Sequence, residues 1–230
     1  MYILYIANKN YSSWSLRPWL LMQQLAIPSQ ERMVPFTTGS NWEQFRHFSP
    51  TGRVPCLRDQ EIYIWDSLAI TEYLAERYPA VWPQDSKVRA WARSAVAEMH
   101  SGFQTLRDHC PMNCALRVQL HEMAAPLTRD IRRIDELWCD GLNRHGGPYL
   151  TGSAFTAVDA FFAPVAYRVQ TYSLKLSSAA TAYVDQLLSL AAMRNWYDAA
   201  LTEPWREQHH EEEASQRGTV LKDYRISPSV

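Results

Sequence analysis

Tyr11-Ser12-Ser13-Trp14-Ser15-Leu16-Arg17-Pro18-Trp19 follows a short apolar run, Tyr2-Ile3-Leu4-Tyr5-Ile6-Ala7. It leads into an amphipathic run, Trp19-Leu20-Leu21-Met22-Gln23-Gln24-Leu25. The pattern predicts a strand, a hydroxyl-rich loop and a helix start. Such a junction aims free backbone N–H groups and the positive end of the helix dipole at whatever lies in front of it. The three serine hydroxyls suit an anion, which at this point is a phosphate, a carboxylate or a thiolate.

Working outward, Met33-Val34-Pro35-Phe36 reads as a second short strand, and residues 37–51 are polar and irregular. Val54-Pro55-Cys56-Leu57-Arg58 and Glu61-Ile62-Tyr63-Ile64-Trp65 flank an Asp59-Gln60 connection, which predicts a hairpin. Asp66-Ser67 then cap a helix whose apolar positions Leu68, Ile70, Tyr73 and Leu74 recur at helical spacing. The order is β-α-β followed by β-β-α, over residues 1–78. Two prolines in Tyr78-Pro79-Ala80-Val81-Trp82-Pro83-Gln84-Asp85 mark a linker at 79–85. Beyond it the strand signal fades, and helices are expected at about 86–109, 117–143, 156–172, 178–191 and 192–201. The helical half spans 86–205. The segment 206–230, with His209-His210-Glu211-Glu212-Glu213, reads as a solvated extension packed loosely through Trp205, Leu221 and Tyr224.

The chain has 230 residues, enough for one large or two modest domains, and 47% of them are apolar, enough for a sizeable core. A formal net charge of −1 argues against nucleic acid or an anionic membrane as the main partner. No run of about 18 apolar residues suggests a membrane span. No charged and apolar leader precedes the first strand, so a cytoplasmic location is the expectation. Cys110 and Cys114 have helical spacing, but His109 does not complete a metal set. The four cysteines, Cys56, Cys110, Cys114 and Cys139, are expected to be reduced thiols, and no metal is expected.

Two further signals bear on function. Val54-Pro55 is a candidate cis peptide, which would turn the backbone N–H and C=O of Val54 outward toward an extended peptide ligand. Asp66-Ser67 opens a helix with a hydroxyl for a carboxylate and an acid for an ammonium, so one pocket would hold an amino-acid-like group.

With these residues in place the chain resembles the cytosolic glutathione transferases over nearly its whole length. The Ser-Ser-Trp-Ser-Leu-Arg run is similar to the serine motif of the zeta class and related bacterial enzymes. Phe48-Ser49-Pro50-Thr51-Gly52-Arg53-Val54-Pro55 resembles the family's cis-proline segment, and Asp66-Ser67-Leu68-Ala69-Ile70 its γ-glutamyl site. Phe155-Thr156-Ala157-Val158-Asp159-Ala160 resembles its buried capping box. Ala97-Glu98-Met99-His100-Ser101-Gly102-Phe103, with Pro111-Met112-Asn113, is similar to a bacterial and fungal subgroup. The resemblance implies a thioredoxin-like α/β domain followed by an all-α domain, glutathione as co-substrate, and a homodimer.

It also implies roles for residues. Ser13 would be the catalytic serine, hydrogen-bonded to the glutathione sulfur and favouring thiolate over thiol. Ser12 and Ser15 are its rivals, and Ser12 is otherwise expected to line the glutathione site. Arg53 would pair with the glycine carboxylate, flanked by Trp42. Val54 and Pro55 would take the cysteinyl backbone, and Asp66 and Ser67 the γ-glutamyl group. The electrophile site would draw on Tyr11, Trp14, Met99, Phe103 and Arg107, although Met99, Phe103 and Leu106 also fit a plain core stripe. Arg17 is read as structural, between the domains, and His100 as a packing residue. The implied function is transfer of glutathione to a hydrophobic electrophile. The alternatives are cis-trans isomerisation of the maleylacetoacetate type and a non-catalytic adaptor on the same fold. No cysteine lies within residues 8–19, which disfavours dithiol chemistry.

Overall fold

The computed structural model describes residues 1–225. Strand β1 (Tyr2–Ile6), helix α1 (Ser13–Gln24) and strand β2 (Ser29–Met33) form a parallel β-α-β unit. A short helix α2 (Trp42–Arg46) leads to β3 (Cys56–Asp59), β4 (Ile62–Trp65) and helix α3 (Ser67–Ala75). The sheet order is β2-β1-β3-β4, with β3 antiparallel to β1 and β4 antiparallel to β3. Leu4 of β1 faces Leu57 of β3, which faces Ile64 of β4. Gln60, at φ +54, turns the hairpin. This is the thioredoxin-like half expected from the sequence.

The second strand differs from the expectation. It is the polar segment Ser29–Met33 rather than 33–36, because an edge strand contributes backbone more than side chains. Val34 N still donates to Ile6 O at 2.9 Å, and Pro35, with no N–H, ends the ladder.

The helical half holds α4 (Ser86–Ser101), α5 (Gln104–His109), α6 (Ala125–His145), α7 (Ala157–Tyr172), α8 (Ser178–Ser189) and α9 (Ala191–Thr202). The stretch 86–109 is two helices, broken where Phe103 takes φ +58. The stretch 117–143 begins differently. Leu116–Leu120 is a strand, β5, and α6 starts only at Ala125. Its partner is β6 (Gly218–Asp223), antiparallel, at the far end of the chain. Gly218 permits the close approach, since a Cβ there would lie 2.3 Å from Gln119 O.

That pairing overturns the solvated tail. Residues 208–217 form helix α10, which β6 ties back onto the helical half. Trp205, Leu221 and Tyr224 are 42%, 63% and 39% exposed and are not the anchors. The anchors are the strand ladder, buried Ala214, and the Glu203 carboxylate, which accepts from Lys9 N at 2.6 Å and Asn10 N at 3.3 Å. Residues 226–230 of the expected extension lie outside the described residues.

Helix α7 runs through the centre, buried on nearly every face, and packs on α1 across the two halves. Its start is the expected capping box. The Asp159 carboxylate accepts from Thr156 N at 2.9 Å, Leu150 N at 3.0 Å and Tyr183 Oη at 2.8 Å. Among the described residues no helix is long and apolar enough to cross a membrane.

Candidate functional site

Two adjoining cavities share part of their walls, the smaller lying within the N-terminal half and the larger where the halves meet. One, of about 310 Å³, is walled by Thr51, Pro55, Trp65, Asp66 and Ser67. The other, of about 480 Å³, is walled by Tyr11, Ser12, Ser13, Trp42, Arg107, Arg168 and His210 among others. Trp14, Arg53 and Val54 line both.

The loop before α1 sorts its hydroxyls by hydrogen bonding. Ser15 is fully buried, and its Oγ accepts from Ala7 N at 3.3 Å. Ser12 Oγ donates to Ser15 Oγ at 2.7 Å. The Tyr11 hydroxyl donates to Glu211, and burial together with that carboxylate pushes its pKa upward. Ser13, the first residue of α1, lines the larger cavity, and its Oγ has no protein hydrogen bond among the described residues. It is the hydroxyl left for a ligand at the positive end of α1.

In the smaller cavity Val54-Pro55 is cis, as expected. Asp66, not Ser67, is the cap of α3. At φ +75 its Oδ1 accepts from Leu68 N at 2.8 Å and Ala69 N at 3.4 Å. Its Oδ2 lies 3.4 Å from His100 Nε2. Ser67 is the first helical residue, and its Oγ is buried without a hydrogen-bond partner among the described residues. A buried hydroxyl without a partner costs about 1–3 kcal/mol, which a bound acceptor would offset.

Arg53 is exposed and forms no ion pair among the described residues, so its guanidinium is available at the junction of the cavities. Trp42 is half-exposed under the Arg46 guanidinium, 5.3 Å from its centroid. Gly52, at φ +61, makes room for that indole, since a Cβ there would lie 2.6 Å from the ring.

Of the expected electrophile residues, Tyr11, Trp14 and Arg107 line the larger cavity. Met99 and Phe103 line neither cavity and sit in the core, Met99 on the buried face that α4 forms with Ala92, Ala95 and Val96. The plain core stripe describes them. Arg107 spends Nε on Gly102 O at 3.1 Å and Nη2 on Met99 O, satisfying the end of α4. Its guanidinium lies 4.6 Å from the Trp14 centroid, and that of Arg17 lies 4.0 Å from it.

Arg17 is fully buried and also lies 4.9 Å from the Phe161 ring of α7, so it spans the two halves as expected. None of its guanidinium nitrogens has a hydrogen-bond partner among the described residues. Burial, then the neighbouring Arg107 and Arg168, depress its pKa. His100 packs edge-on against Trp14.

Sequence reasoning missed Arg168 and His210. Arg168, buried on α7, donates to Cys110 O at 2.8 Å and Pro164 O at 3.3 Å, and burial lowers its pKa to about 10. It lies inside an apolar run and carries no local signal. His210 arrives from the tail, through a pairing no local pattern announces. The Leu116, Val118 and Leu120 alternation was the available clue to that pairing.

The four cysteines are free thiols, and none lines either cavity. Burial pushes Cys56 and Cys110 to about 12. Among the described residues no three His, Cys, Asp or Glu side chains group as a metal site.

Comparison with known proteins bears on the same arrangement. Residues 11–77 match the profile of the glutathione S-transferase N-terminal domain, and residues 89–199 that of the C-terminal domain. Glutathione S-transferase 1 of Dianthus caryophyllus is 32% identical over 165 residues, covering 70% of this chain and 74% of the relative. Maleylacetoacetate isomerase of Rattus norvegicus is 26% identical over 183 residues, covering 76% and 81%. A glutathione transferase homologue from Burkholderia, solved with bound glutathione, superposes with a TM-score of 0.65 at 20% identity, covering 86% and 97%.

Proposed function

The chain belongs to the glutathione S-transferase family, and from that premise we propose that it lays glutathione across the smaller cavity with the sulfur at Ser13. The free Ser13 hydroxyl, at the head of α1 and on the wall of the larger cavity, carries the reading. The γ-glutamyl carboxylate takes the unpartnered Ser67 hydroxyl and the start of α3, and the ammonium faces Asp66. The cysteinyl backbone runs along Val54 beside Pro55. Arg53 takes the glycine carboxylate, with Trp42 beside it.

The Ser13 hydroxyl donates to the thiolate. The α1 N-terminus adds its partial positive charge, and Arg53 and Arg107 add theirs from the cavity walls. Each unit by which the thiol pKa falls corresponds to about 1.4 kcal/mol of preference for the thiolate. The thiolate then attacks an electrophile in the larger cavity. Arg107 and Arg168 on its wall favour one carrying a negative group, which supports isomerisation as the second reading, alongside the 26% identical rat isomerase. The adaptor reading leaves the unpartnered Ser13 and Ser67 hydroxyls without a purpose. The proposal includes a homodimer through edge strand β4, where Ile62 and Trp65 are 53% and 44% exposed beside an apolar groove.

Ultraviolet titration of the bound thiolate in Ser12→Ala, Ser13→Ala and Ser15→Ala tests the assignment. Ser13→Ala should retain glutathione and raise the thiol pKa by about one to two units, lowering turnover at acidic pH about 10–100-fold. The loss should shrink as pH rises. A shift confined to Ser12→Ala or Ser15→Ala moves the role to that residue.

A further inference from the structure

The His209-to-Glu213 run reads in sequence as solvated charge, yet α10 carries part of it into the larger cavity. The His210 ring lies between two aromatic rings, with centroids 5.0 Å from Tyr11 and 4.8 Å from Phe36 and tilts of 21° and 22°. Its Nδ1 is 2.6 Å from Glu207 Oε2, which also accepts from His210 N at 3.0 Å. Glu207 is buried and the imidazole is 28% exposed, so the carboxylate side of the contact lies away from solvent. Nε2 has no protein hydrogen bond among the described residues, and His210 lines the same cavity as Ser13. A carboxylate on Nδ1 accepts that nitrogen's proton, so in the neutral ring the lone pair lies on Nε2.

We propose that His210 is the proton acceptor of this cavity, taking the thiol proton of bound glutathione on Nε2, with Glu207 as its positioning residue. The proposal rests on the glutathione reading above.

The other groups facing the cavity are already committed or carry the wrong charge. A serine hydroxyl stabilises a thiolate by donating, but does not accept the thiol proton without becoming an oxonium. Tyr11 donates to Glu211, which is also paired with Arg225. Glu213 faces His209 at 3.3 Å. Arg53, Arg107 and Arg168 are cations. His210 alone combines a free lone pair, a buried carboxylate behind it and rings that fix its plane. Burial pushes the Glu207 carboxyl up, and hydrogen bonds from the His210 main chain and ring together bring it below the ordinary glutamate value.

In the step, the S–H bond breaks and its proton passes to Nε2, leaving the electron pair on sulfur. That pair forms the S–C bond. In a displacement, the leaving group departs with the electron pair of its own bond and the imidazolium returns its proton to water. In an addition, the pair moves to the neighbouring carbon, which takes the proton back from Nε2.

The test compares the full-length wild type with His210→Phe, His210→Gln and Glu207→Gln. His210→Phe keeps the ring between Tyr11 and Phe36. Glutathione affinity is read by calorimetry, and kcat/KM against pH with 1-chloro-2,4-dinitrobenzene. Affinity should stay within about twofold, because the imidazole meets the sulfur's proton and not the charged ends of the peptide. At neutral pH kcat/KM should fall about 100-fold in both His210 variants, within the usual range for a lost general base. It should fall less in Glu207→Gln. The acid-limb inflection of the wild-type profile should move to higher pH in the His210 variants, with the deficit closing as hydroxide takes over the proton. A His210→Phe enzyme with wild-type kcat/KM and profile overturns the proposal and makes the ring a packing element. If that variant does not fold, His210→Gln decides by the same readouts. A wild type that gives no heat with glutathione overturns the site reading itself, and the proposal with it.

Discussion

Asp159→Ala removes a carboxylate that four buried donors share, of which Thr156 Oγ1, at 3.4 Å, has Thr151 Oγ1 as a second partner. Thr156 N, Leu150 N and Tyr183 Oη lie 2.9, 3.0 and 2.8 Å from its oxygens. Asp159 is fully buried. A buried donor left without a partner costs about 1–3 kcal/mol. Three such donors, with a water filling part of the vacated space, give an expected loss of about 3–5 kcal/mol, above the 1–2 kcal/mol of a lost cap alone. That is a large share of the 5–15 kcal/mol typical of a folded domain. The loss bears on the site as well, because α7 carries Phe161 against Arg17 and Arg168 into the larger cavity. Urea unfolding at pH 7.5 should show a lower midpoint with an unchanged slope. The carboxyl also titrates. Burial pushes it up to about 6 in the fold, against about 3.9 in an unfolded chain. Between those values the folded state holds the proton more tightly. Its contribution is therefore fully present below about pH 4 and is lost as pH rises through 6, by up to about 3 kcal/mol. Asp159→Asn, which does not titrate, should lack that trend. A loss below about 1 kcal/mol in Asp159→Ala, or parallel pH dependences for wild type and Asp159→Asn, would falsify the account of this junction.

Three other outcomes are expected. Ser67→Ala should weaken glutathione binding by about 1–3 kcal/mol in calorimetry while leaving the melting temperature of the free protein level or higher, since its hydroxyl has no partner there; unchanged affinity sinks the γ-glutamyl assignment. Gly52→Ala should destabilise by about 1 kcal/mol or more, from the positive φ, and displace the Trp42 indole, read as a shift in tryptophan emission; an unshifted spectrum at equal stability contradicts the close contact. Trp65→Arg on the exposed edge strand should convert a dimer to a monomer in sedimentation, and an unaltered sedimentation coefficient places any dimer contact elsewhere.

Legibility followed sequence separation. The β1–α1 junction, the β3–β4 hairpin, the start of α3 and the Thr156–Asp159 box are built from neighbours within a few residues, so period, turn chemistry and cap residues disclose them. The candidate glutathione residues Ser13, Trp42, Arg53, Val54, Pro55, Asp66 and Ser67 belong to that local set, and the fold brings them to the two cavities. Even there, two details needed coordinates. Asp66 and not Ser67 took the cap, because a carboxylate in the left-handed region reached two N–H groups and left the hydroxyl free. Ser12 and Ser15 are separated from Ser13 by their mutual hydrogen bond and by the bond from Ala7 N to Ser15.

What the sequence by itself determined was the set of local elements, their order, and the chemistry offered at the head of α1 and α3. Only the tertiary structure decided the wall of the larger cavity. Helical spacing cannot tell a core-facing stripe from a cavity-facing one, since both are apolar, and Met99 and Phe103 went to the core. Arg168 entered the cavity because the packing of α7 left it a place there. The tail became part of the site because β6 found β5 across nearly half the chain, a backbone pairing whose register depends on the approach at Gly218 and on the fold between. Backbone hydrogen bonds are open to almost any sequence, so no local pattern foretells which distant strand will accept them, or that the pairing sets His210 beside Tyr11.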